Sequence, residues 1–274
     1  MPCRTIAVAN QKGGTGKTAT TLSLGMALAR SGRRVLLVDT DPQGDLTKSL
    51  GWHDPDALET TLANHLNAMI EGVILDPREG ILSHDEGIDL MPANIELAGM
   101  EMPILMAMSR EQLVNMWMSP LKADYDFIIF DCAPTLGIIP INAFVASDSV
   151  LVPVSAEYLP ASAMTGLLKT VGRVRRQINP SLEVEGIRRQ INPGLSVEGI
   201  LVTLSDSRNN LAHEVEETIR ERYGSTYRVF DTVIPRAVSA AEAPAAGMSV
   251  FSYDGEGKVA HAFERLAEEV LDRG

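Results

Sequence analysis

The residues most able to do chemistry lie in one glycine-rich stretch near the start of the chain, Lys12-Gly13-Gly14-Thr15-Gly16-Lys17-Thr18. The apolar run before it, residues 5–10, is typical of a strand, and residues 19–30 repeat apolar side chains at helical spacing. Glycines let backbone N–H groups turn towards an anion, and a helix start adds the positive end of its dipole. The order of strand, glycine-rich turn and helix therefore predicts a mononucleotide site.

Within this site, Lys17 is predicted to reach the β- and γ-phosphates, and the Thr18 hydroxyl is predicted to bind Mg²⁺. The rest of the loop and the residue after it complete the cofactor-binding candidates: Lys12, Gly13, Gly14, Thr15, Gly16 and Ala19. The alternative is a glycine-rich hairpin with a solvated lysine, which the flanking strand and helix disfavour.

The loop departs from the common pattern GxxxxGK[ST], because Gln11 takes the place of the first glycine and a second lysine, Lys12, opens the loop. The form KGGxGKT resembles the deviant phosphate loop of the ParA/MinD ATPases. That resemblance implies ATP as the nucleotide. It also implies that Lys12 crosses a dimer interface to touch the partner's nucleotide, so Lys12 and Lys17 are both catalytic candidates.

Two further predicted strands, residues 33–39 and 126–131, end in aspartate. Ligands of an open parallel sheet bind beyond the carboxyl ends of its strands, so the following residues are expected beside the phosphates. Asp131 is predicted to hold Mg²⁺ through a water molecule, opposite Thr18. Asp41 is predicted to position the attacking water and to help hold Mg²⁺. The alternative for Asp41 is a capping aspartate in a turn.

The segments after these strands also resemble the two switch loops of the family. Residues 40–45, here the first switch loop, continue the pattern DxDPQGN from Asp39, with Asp45 at the usual asparagine. Residues 132–137, here the second switch loop, continue the pattern DxxPxxG from Asp131. Cys132 is interpreted as a small buried neighbour of Asp131, with a redox role as the alternative.

Composition and charge limit the class of protein. The 274 residues have the make-up of a soluble globular protein, with a formal net charge of −12. The charge is uneven, since residues 51–126 carry 14 acids against 3 bases and residues 160–240 carry 11 bases against 9 acids. An acidic total therefore leaves room for a nucleic-acid-binding face. Two distant cysteines and the lack of a leader or an apolar span predict a cytoplasmic protein without a membrane partner.

Residues 52–88 are the least motif-like part and are treated as a variable insertion. Apolar side chains at helical spacing predict one helix there: Leu58, Leu62, Leu66, Met69 and Ile70. An acidic loop at 76–86, a strand at 87–92 and helices at 95–102 and 109–122 follow. Six methionines of the last two helices are expected in the core, with a partner surface as the alternative: Met100, Met102, Met106, Met108, Met116 and Met118.

Residues 175–187 and 188–200 form a tandem copy with 11 of 13 positions identical. Two units are too few for a solenoid. The family has one such segment, in which a helix ends, Asn-Pro turns and VEGI enters the next strand, so the extra residues near 181–193 are expected to form a surface loop. The alternative is a functional role, in which doubled arginine pairs strengthen a DNA-binding patch.

The C-terminal third is predicted to hold strands at 199–204 and 229–234 and helices at 211–223 and 258–271. The family binds adenine near the turn that closes its last strand, so Pro235 and Arg236 are cofactor-binding candidates. Arg208 and Ser239 match positions that bind DNA in relatives, with Ser239 replacing an arginine. The final helix has acids on its polar face and is expected to pack on the body rather than to target a membrane.

These motifs identify the chain as a member of the ParA/MinD family and imply one ParA-type domain, residues 1–274. The implied fold is α/β, a mostly parallel twisted sheet with helices on both faces, as in other P-loop NTPases. The implied function is DNA partition: an ATP-bound homodimer binds DNA nonspecifically, and a ParB-type partner stimulates slow hydrolysis. The alternatives are a MinD-like or other cargo-positioning ATPase, and an ATP-dependent metabolic ligase of the same fold.

Overall fold

A computed structural model describes residues 2–156, 161–176, 192–206 and 208–272. Within these ranges the chain forms one eight-stranded sheet. Its strands are β1 (Arg4–Val8), β2 (Val35–Thr40), β3 (Leu82–His84), β4 (Ile88–Met91), β5 (Phe127–Cys132), β6 (Ser149–Ser155), β7 (Ser196–Ser205) and β8 (Val229–Pro235).

The strand order across the sheet is β3-β4-β2-β5-β1-β6-β7-β8. The neighbouring pairs from β4 to β8 run parallel, and β3 pairs antiparallel with β4 at one edge. The mostly parallel α/β sheet is therefore confirmed. The acidic loop predicted at 76–86 is partly wrong, because its residues 82–84 form this edge strand, which has no apolar alternation to mark it.

Helices connect the strands and cover both faces of the sheet. They are α1 (Lys17–Arg30), α2 (Asp45–Ser49), α3 (Leu62–Glu71), α4 (Glu96–Gly99), α5 (Glu101–Met106), α6 (Leu113–Met118), α7 (Ile138–Ala146), α8 (Ala161–Arg176), α9 (Asn210–Tyr223), α10 (Ser239–Ala245), α11 (Val250–Asp254) and α12 (Lys258–Leu271).

Alternate residues of the central strands build two separate cores, as the period of a strand requires. Ile6 and Ile129 belong to the core that also contains side chains of α1, α11 and α12. Ala7 and Phe130 face the other side, where α3, α7 and α9 contribute. The sheet is thus buried on both faces, and its free carboxyl edge is the place where the loops of the candidate site meet.

The helix predicted at 95–102 differs from the observed elements. The structure has two short helices there, α4 and α5, and Pro103 lies in the second. Proline has no N–H to donate to a carbonyl four residues earlier, which breaks the hydrogen-bond ladder between them.

The expectation that all six methionines lie in the core is wrong for four of them. Met100 and Met118 are buried. Met102, Met106, Met108 and Met116 are exposed, at 66%, 83%, 92% and 53%.

The duplicated segment enters the sheet through its second copy. Val197 to Ile200 of that copy lie in β7, and Leu201, fully buried, comes next. The first copy is followed instead by Arg188, and an arginine at the position of Leu201 would be buried without a partner. The apolar residues after the second copy therefore determine which copy enters β7. Residues 177–191, which include most of the predicted surface loop, lie outside the described residues.

Asn192 of the second copy is part of the packed fold, so the predicted loop does not extend to residue 193. Its side-chain Nδ2 lies 3.2, 3.1 and 2.7 Å from the carbonyl oxygens of Phe144, Val145 and Ser147. Two of these carbonyls belong to the last turn of α7 and the third to its C-cap residue, where carbonyls lack some of their helical donors. Asn192 therefore ties the connection into β7 to α7.

We predict that the two copies respond differently to the same substitution. Asn192→Ala should lower the free energy of unfolding by about 1–3 kcal/mol, because buried carbonyls lose their donor. Asn179→Ala, at the matching position of the first copy, is the control and should leave it within about 0.5 kcal/mol of the original chain. Urea denaturation followed by circular dichroism measures both, and equal losses would contradict the assignment of the second copy to the fold.

Candidate nucleotide site

The glycine-rich loop runs from the end of β1 to the first residue of α1 in a conformation that glycine makes accessible. Gly14 and Gly16 have φ of 70° and 79°, in the left-handed region that other residues avoid. Gly16 is the N-cap of α1 and has no side chain to occupy the first-turn N–H groups. The positive end of the helix dipole is therefore not capped by a side chain and is available to an anion.

Two polar contacts fasten the loop to the sheet. The Asn10 side chain donates from Nδ2 to the carbonyl of Pro153 at 2.8 Å, while its Oδ1 accepts the backbone N–H of Lys12 at 3.0 Å. On the other side, the Thr203 hydroxyl in β7 donates to the carbonyl of Thr15 at 2.9 Å. The loop is thus held from β6 and β7 before any ligand binds.

Lys17 lies beneath the loop and is 8% exposed. Its ammonium group donates to the backbone carbonyl of Lys12 at 3.4 Å. Burial lowers the pKa of Lys17, and the nearby carboxylates of Asp131 and Asp41 act in the opposite direction. The structure therefore brings Lys17 together with both aspartates predicted for the site.

Asp131 is the last but one residue of β5 and contacts α1. The hydroxyl of Thr21 donates to its carboxylate at 3.3 Å, and the nearby Thr18 side chain acts to lower its pKa. Burial and the neighbouring Asp39 carboxylate raise the pKa of Asp131 well above its usual range. A carboxylate and a hydroxyl side by side are oxygen ligands that suit Mg²⁺.

Asp39 is the register partner of Asp131 on the adjacent strand β2, and both are buried. Burial raises the pKa of Asp39 to about 7, although hydrogen bonds from Thr47 and from the backbone of Asp41 act in the opposite direction. Two carboxylates therefore lie side by side with little access to water, and this arrangement favours the binding of a cation.

The set of protein ligands for a metal is small. Within the described ranges, no three His, Cys, Asp or Glu side chains are grouped so that they could hold a metal ion. Magnesium in nucleotide sites takes one or two protein ligands and completes its shell with phosphate and water oxygens. Thr18 and Asp131 fit that pattern.

Asp41 is the second residue of the first switch loop and lines a cleft of about 250 Å³ between the two switch loops. The lining includes Asp41 and Gln43 from the first loop, Pro134 and Thr135 from the second, and Glu101 from α5. The two loops that follow β2 and β5 thus lie side by side. Cys132, between them and Asp131, is buried, and burial raises its pKa to about 12, as expected for a packed neighbour rather than a reactive thiol.

The remaining cofactor-binding candidates are divided between two clefts. Thr18 and Ala19 line one of about 440 Å³, together with Lys48 and Pro244. Pro235 lines another, of about 400 Å³, at the end of β8. Arg236 is next to Pro235, and its backbone N–H donates to the carbonyl of Ser205 at 2.9 Å. The structure therefore groups the loop, Asp41 and Asp131, and leaves Pro235 and Arg236 three strands away.

Comparisons with known proteins agree with this geometry. A family model described as an AAA domain matches residues 3–184. The sporulation initiation inhibitor protein Soj of Bacillus subtilis is 37% identical over 273 residues, which cover 98% of each chain. The chromosome partitioning protein ParA of Caulobacter vibrioides is 36% identical, with 99% of this chain and 95% of that protein covered.

The chain belongs to the ParA/MinD family of P-loop ATPases.

A solved structure is similar at the level of both sequence and fold. Cobyrinic acid a,c-diamide synthase from Mycobacterium smegmatis, with bound ADP and magnesium, superposes with a TM-score of 0.81 and 36% identity. The alignment covers 99% of this chain and 95% of that one. The structural similarity thus covers the whole sheet, including β7 and β8.

Three threonines of this family site were missed by the sequence analysis. Thr21 bonds Asp131, Thr203 holds the loop from β7, and Thr47 bonds Asp39. None belongs to the phosphate-loop or switch motifs. Thr21 is one helical turn after Lys17 and on the same side of α1, so helical periodicity offered a signal for it, whereas the contacts of Thr203 and Thr47 depend on tertiary structure.

We predict that the buried carboxylates make the nucleotide-free protein less stable as pH rises. Their folded pKa values lie above that of an unfolded aspartate, so the folded state binds more protons and the contribution falls from about pH 4 upwards, through about 7 for Asp39. Asp131→Asn removes one of the two charges and should reduce the difference in unfolding free energy between pH 5.5 and 8 by at least about 1 kcal/mol. Urea titrations in EDTA measure it, and an unchanged pH dependence would show that the pair does not titrate in this way.

Proposed function

We propose that the protein is an ATP-dependent DNA partition ATPase, a nucleotide switch that dimerises when ATP is bound. The observation that carries this proposal is the loop itself, in which Lys12 opens the turn and Lys17 lies below it among Asp41 and Asp131. The chromosome partitioning protein ParA of Caulobacter vibrioides, aligned over 95% of its length, supports it. The ligands of the site are ATP and Mg²⁺.

In this proposal the backbone of residues 12–16 and the start of α1 bind the β- and γ-phosphates, and Lys17 neutralises part of their charge. Thr18 and Asp131 hold Mg²⁺, with Asp41 contributing. When bound there, Mg²⁺ would supply Lewis-acid stabilisation of the charge on the phosphoryl group. Lys17 has to leave the carbonyl of Lys12 to reach a phosphate, which costs little because that contact is long at 3.4 Å.

Asp41 is proposed to orient the attacking water. Its carboxylate lies at the carboxyl edge beside the cleft between the switch loops, and it accepts the backbone N–H of Gln43 at 3.0 Å. A side chain held in this way can accept a hydrogen bond from a water in line with the γ-phosphate. Pro235 and Arg236 are proposed to contact the adenine end of the nucleotide.

Lys12 is proposed to act in trans. Two subunits that meet across two triphosphates must neutralise a large negative charge, and a lysine donated by each subunit makes dimerisation depend on ATP. Loss of the γ-phosphate then releases both switch loops and the dimer.

Lys12→Ala is expected to leave the affinity for ATP within about threefold of the original chain and to abolish the ATP-dependent dimer, because one interfacial charge is lost in each subunit. Light scattering coupled to size exclusion measures the dimer, and isothermal titration measures the affinity. Lys122→Ala, a lysine outside the loop, is the control. A dimer that persists in Lys12→Ala would remove the trans role.

Nonspecific DNA and a ParB-type protein are the proposed partners of the ATP-bound homodimer, with nucleoid association in the cytoplasm as a consequence. The resemblance to partition proteins supports this more than local charge does. Arg208, one of the positions matched to DNA contacts, is 88% exposed and paired with Asp206 at 3.1 Å. That pair must open for Arg208 to reach a phosphate, an opening that costs little at an exposed site.

DNA retention tests the switch directly. The protein should co-sediment with nonspecific DNA in ATP and not in ADP, and retention should fall steeply between about 50 and 200 mM salt because counterions are displaced from the phosphates. Equal retention with both nucleotides would contradict the proposal. The product of a neighbouring reading frame, added in a second arm, should accelerate release.

A second candidate, an ATP-dependent amide-forming synthase, is favoured by the similarity to the diamide synthase from Mycobacterium smegmatis. Such an enzyme needs a pocket for a carboxylate substrate beside the γ-phosphate. The cleft between the switch loops is in the right place, but its described lining has Asp41 and Glu101 and no basic side chain. Two carboxylates repel an acidic substrate, so partition is the function proposed first.

A membrane-positioning role like that of MinD is the least supported alternative. No helix within the described ranges is long and apolar enough to cross a bilayer. The apolar face of the final helix is occupied, since Val259, Phe263 and Leu266 are buried in the core around α1. Attachment through this helix would have to uncover that core.

A further inference from the structure

Thr47, in the short helix α2 after the first switch loop, joins three segments through one buried side chain. Its hydroxyl donates to Asp39 Oδ2 at 2.8 Å, and its backbone N–H donates to the same oxygen at 3.0 Å. The hydroxyl also accepts the backbone N–H of Ala93, in the loop after β4, at 3.2 Å. The hydroxyl therefore acts both as a hydrogen-bond donor and as an acceptor.

The other oxygen of Asp39 holds the beginning of the same switch loop. Oδ1 accepts the backbone N–H of Asp41 at 3.1 Å. One fully buried carboxylate thus binds the backbone on both sides of the first switch loop, at Asp41 near its start and at Thr47 in α2 just after it. Charge-assisted bonds to backbone N–H groups are among the stronger hydrogen bonds in proteins, so the loop is fixed at these two points.

A close approach at Gly44 fixes the loop against its neighbour. A Cβ on Gly44 would lie 2.9 Å from the carbonyl oxygen of Ala93 and 3.2 Å from Cγ of Pro55, and φ of Gly44 is 63°. The hydrogen bond from the Ala93 N–H to the Thr47 hydroxyl joins the same two segments. Between its two attachment points the loop has little room to move.

We infer that Thr47 is a positioning residue for turnover: through Asp39 it holds the backbone of Asp41 where that side chain can orient water. The contacts of the Thr47 hydroxyl are with Asp39 and Ala93 rather than with the phosphate loop, so turnover and not nucleotide affinity depends on it. This inference rests on the proposed ATPase function.

The test compares substitutions that remove or keep the hydroxyl. Thr47→Val keeps the shape and loses the hydroxyl, and kcat should fall about tenfold or more, because small misplacements of a catalytic group are costly. The dissociation constants for ATP and ADP should stay within about threefold. Thr47→Ser restores the hydroxyl and should recover kcat to within about twofold. Amide exchange at Asp41 should be faster in Thr47→Val than in Thr47→Ser.

Thr61→Val is the matched control, because Thr61 is also fully buried and its hydroxyl belongs to the capping box at the start of α3. It should keep kcat. If Thr47→Val does not fold, Thr47→Cys, which replaces the hydroxyl by a thiol that hydrogen-bonds only weakly, takes its place under the same criterion.

Unchanged kcat in Thr47→Val would overturn the inference. A loss shared by Thr47→Ser or by Thr61→Val would overturn it as well, because it would show a structural role only. Absence of ATP hydrolysis in the original chain, with nucleotide bound, would instead contradict the proposed function.

Discussion

Two carboxylates side by side at the carboxyl edge of the sheet, Asp39 and Asp131, set the constraint on which the rest of the site depends. Both are buried, and their separation is fixed by the register of β2 and β5. Burying two like charges together is costly unless donors and cations surround them. The hydroxyls of Thr18, Thr21 and Thr47 and the ammonium group of Lys17 supply that surrounding.

This constraint also explains why a phosphate site and two switch loops occur in one place. Each switch loop begins within two residues of one of the buried carboxylates, so both loops start beside the same pair of charges. Asp39 is fully buried, and its carboxylate accepts the backbone N–H groups of Asp41 and Thr47. The start of the first switch loop is thereby fixed by hydrogen bonds to a fully buried side chain of the sheet.

Much of this arrangement could be predicted from the sequence, because the motifs sit at strand ends and their chemistry is local. The loop, Asp131 and the final helix at 258–271 follow from glycine spacing, an apolar run and helical periodicity. The parallel sheet follows from the family resemblance and from strands that alternate with helices. The division of 95–106 into two helices could have been read from Pro103, which periodicity alone overlooks.

Other parts depend on contacts that the sequence does not encode locally. The bonds of Thr47 and Thr203 cross between segments that are far apart in the chain, and the edge strand β3 is three residues of mixed polarity. The two copies of the repeat are nearly identical, so only the residues after them show which copy enters β7. The exposure of Met102 and Met106 likewise reflects how α5 lies on its neighbours.

A crystal structure with Mg²⁺ and a nonhydrolysable ATP analogue tests the central claim most directly. We predict Mg²⁺ bound to the Thr18 hydroxyl at about 2.1 Å, with Asp131 one water away and Lys17 moved from the carbonyl of Lys12 to the phosphates. A nucleotide bound elsewhere, with Lys17 still on that carbonyl and Asp131 without a metal, would contradict it.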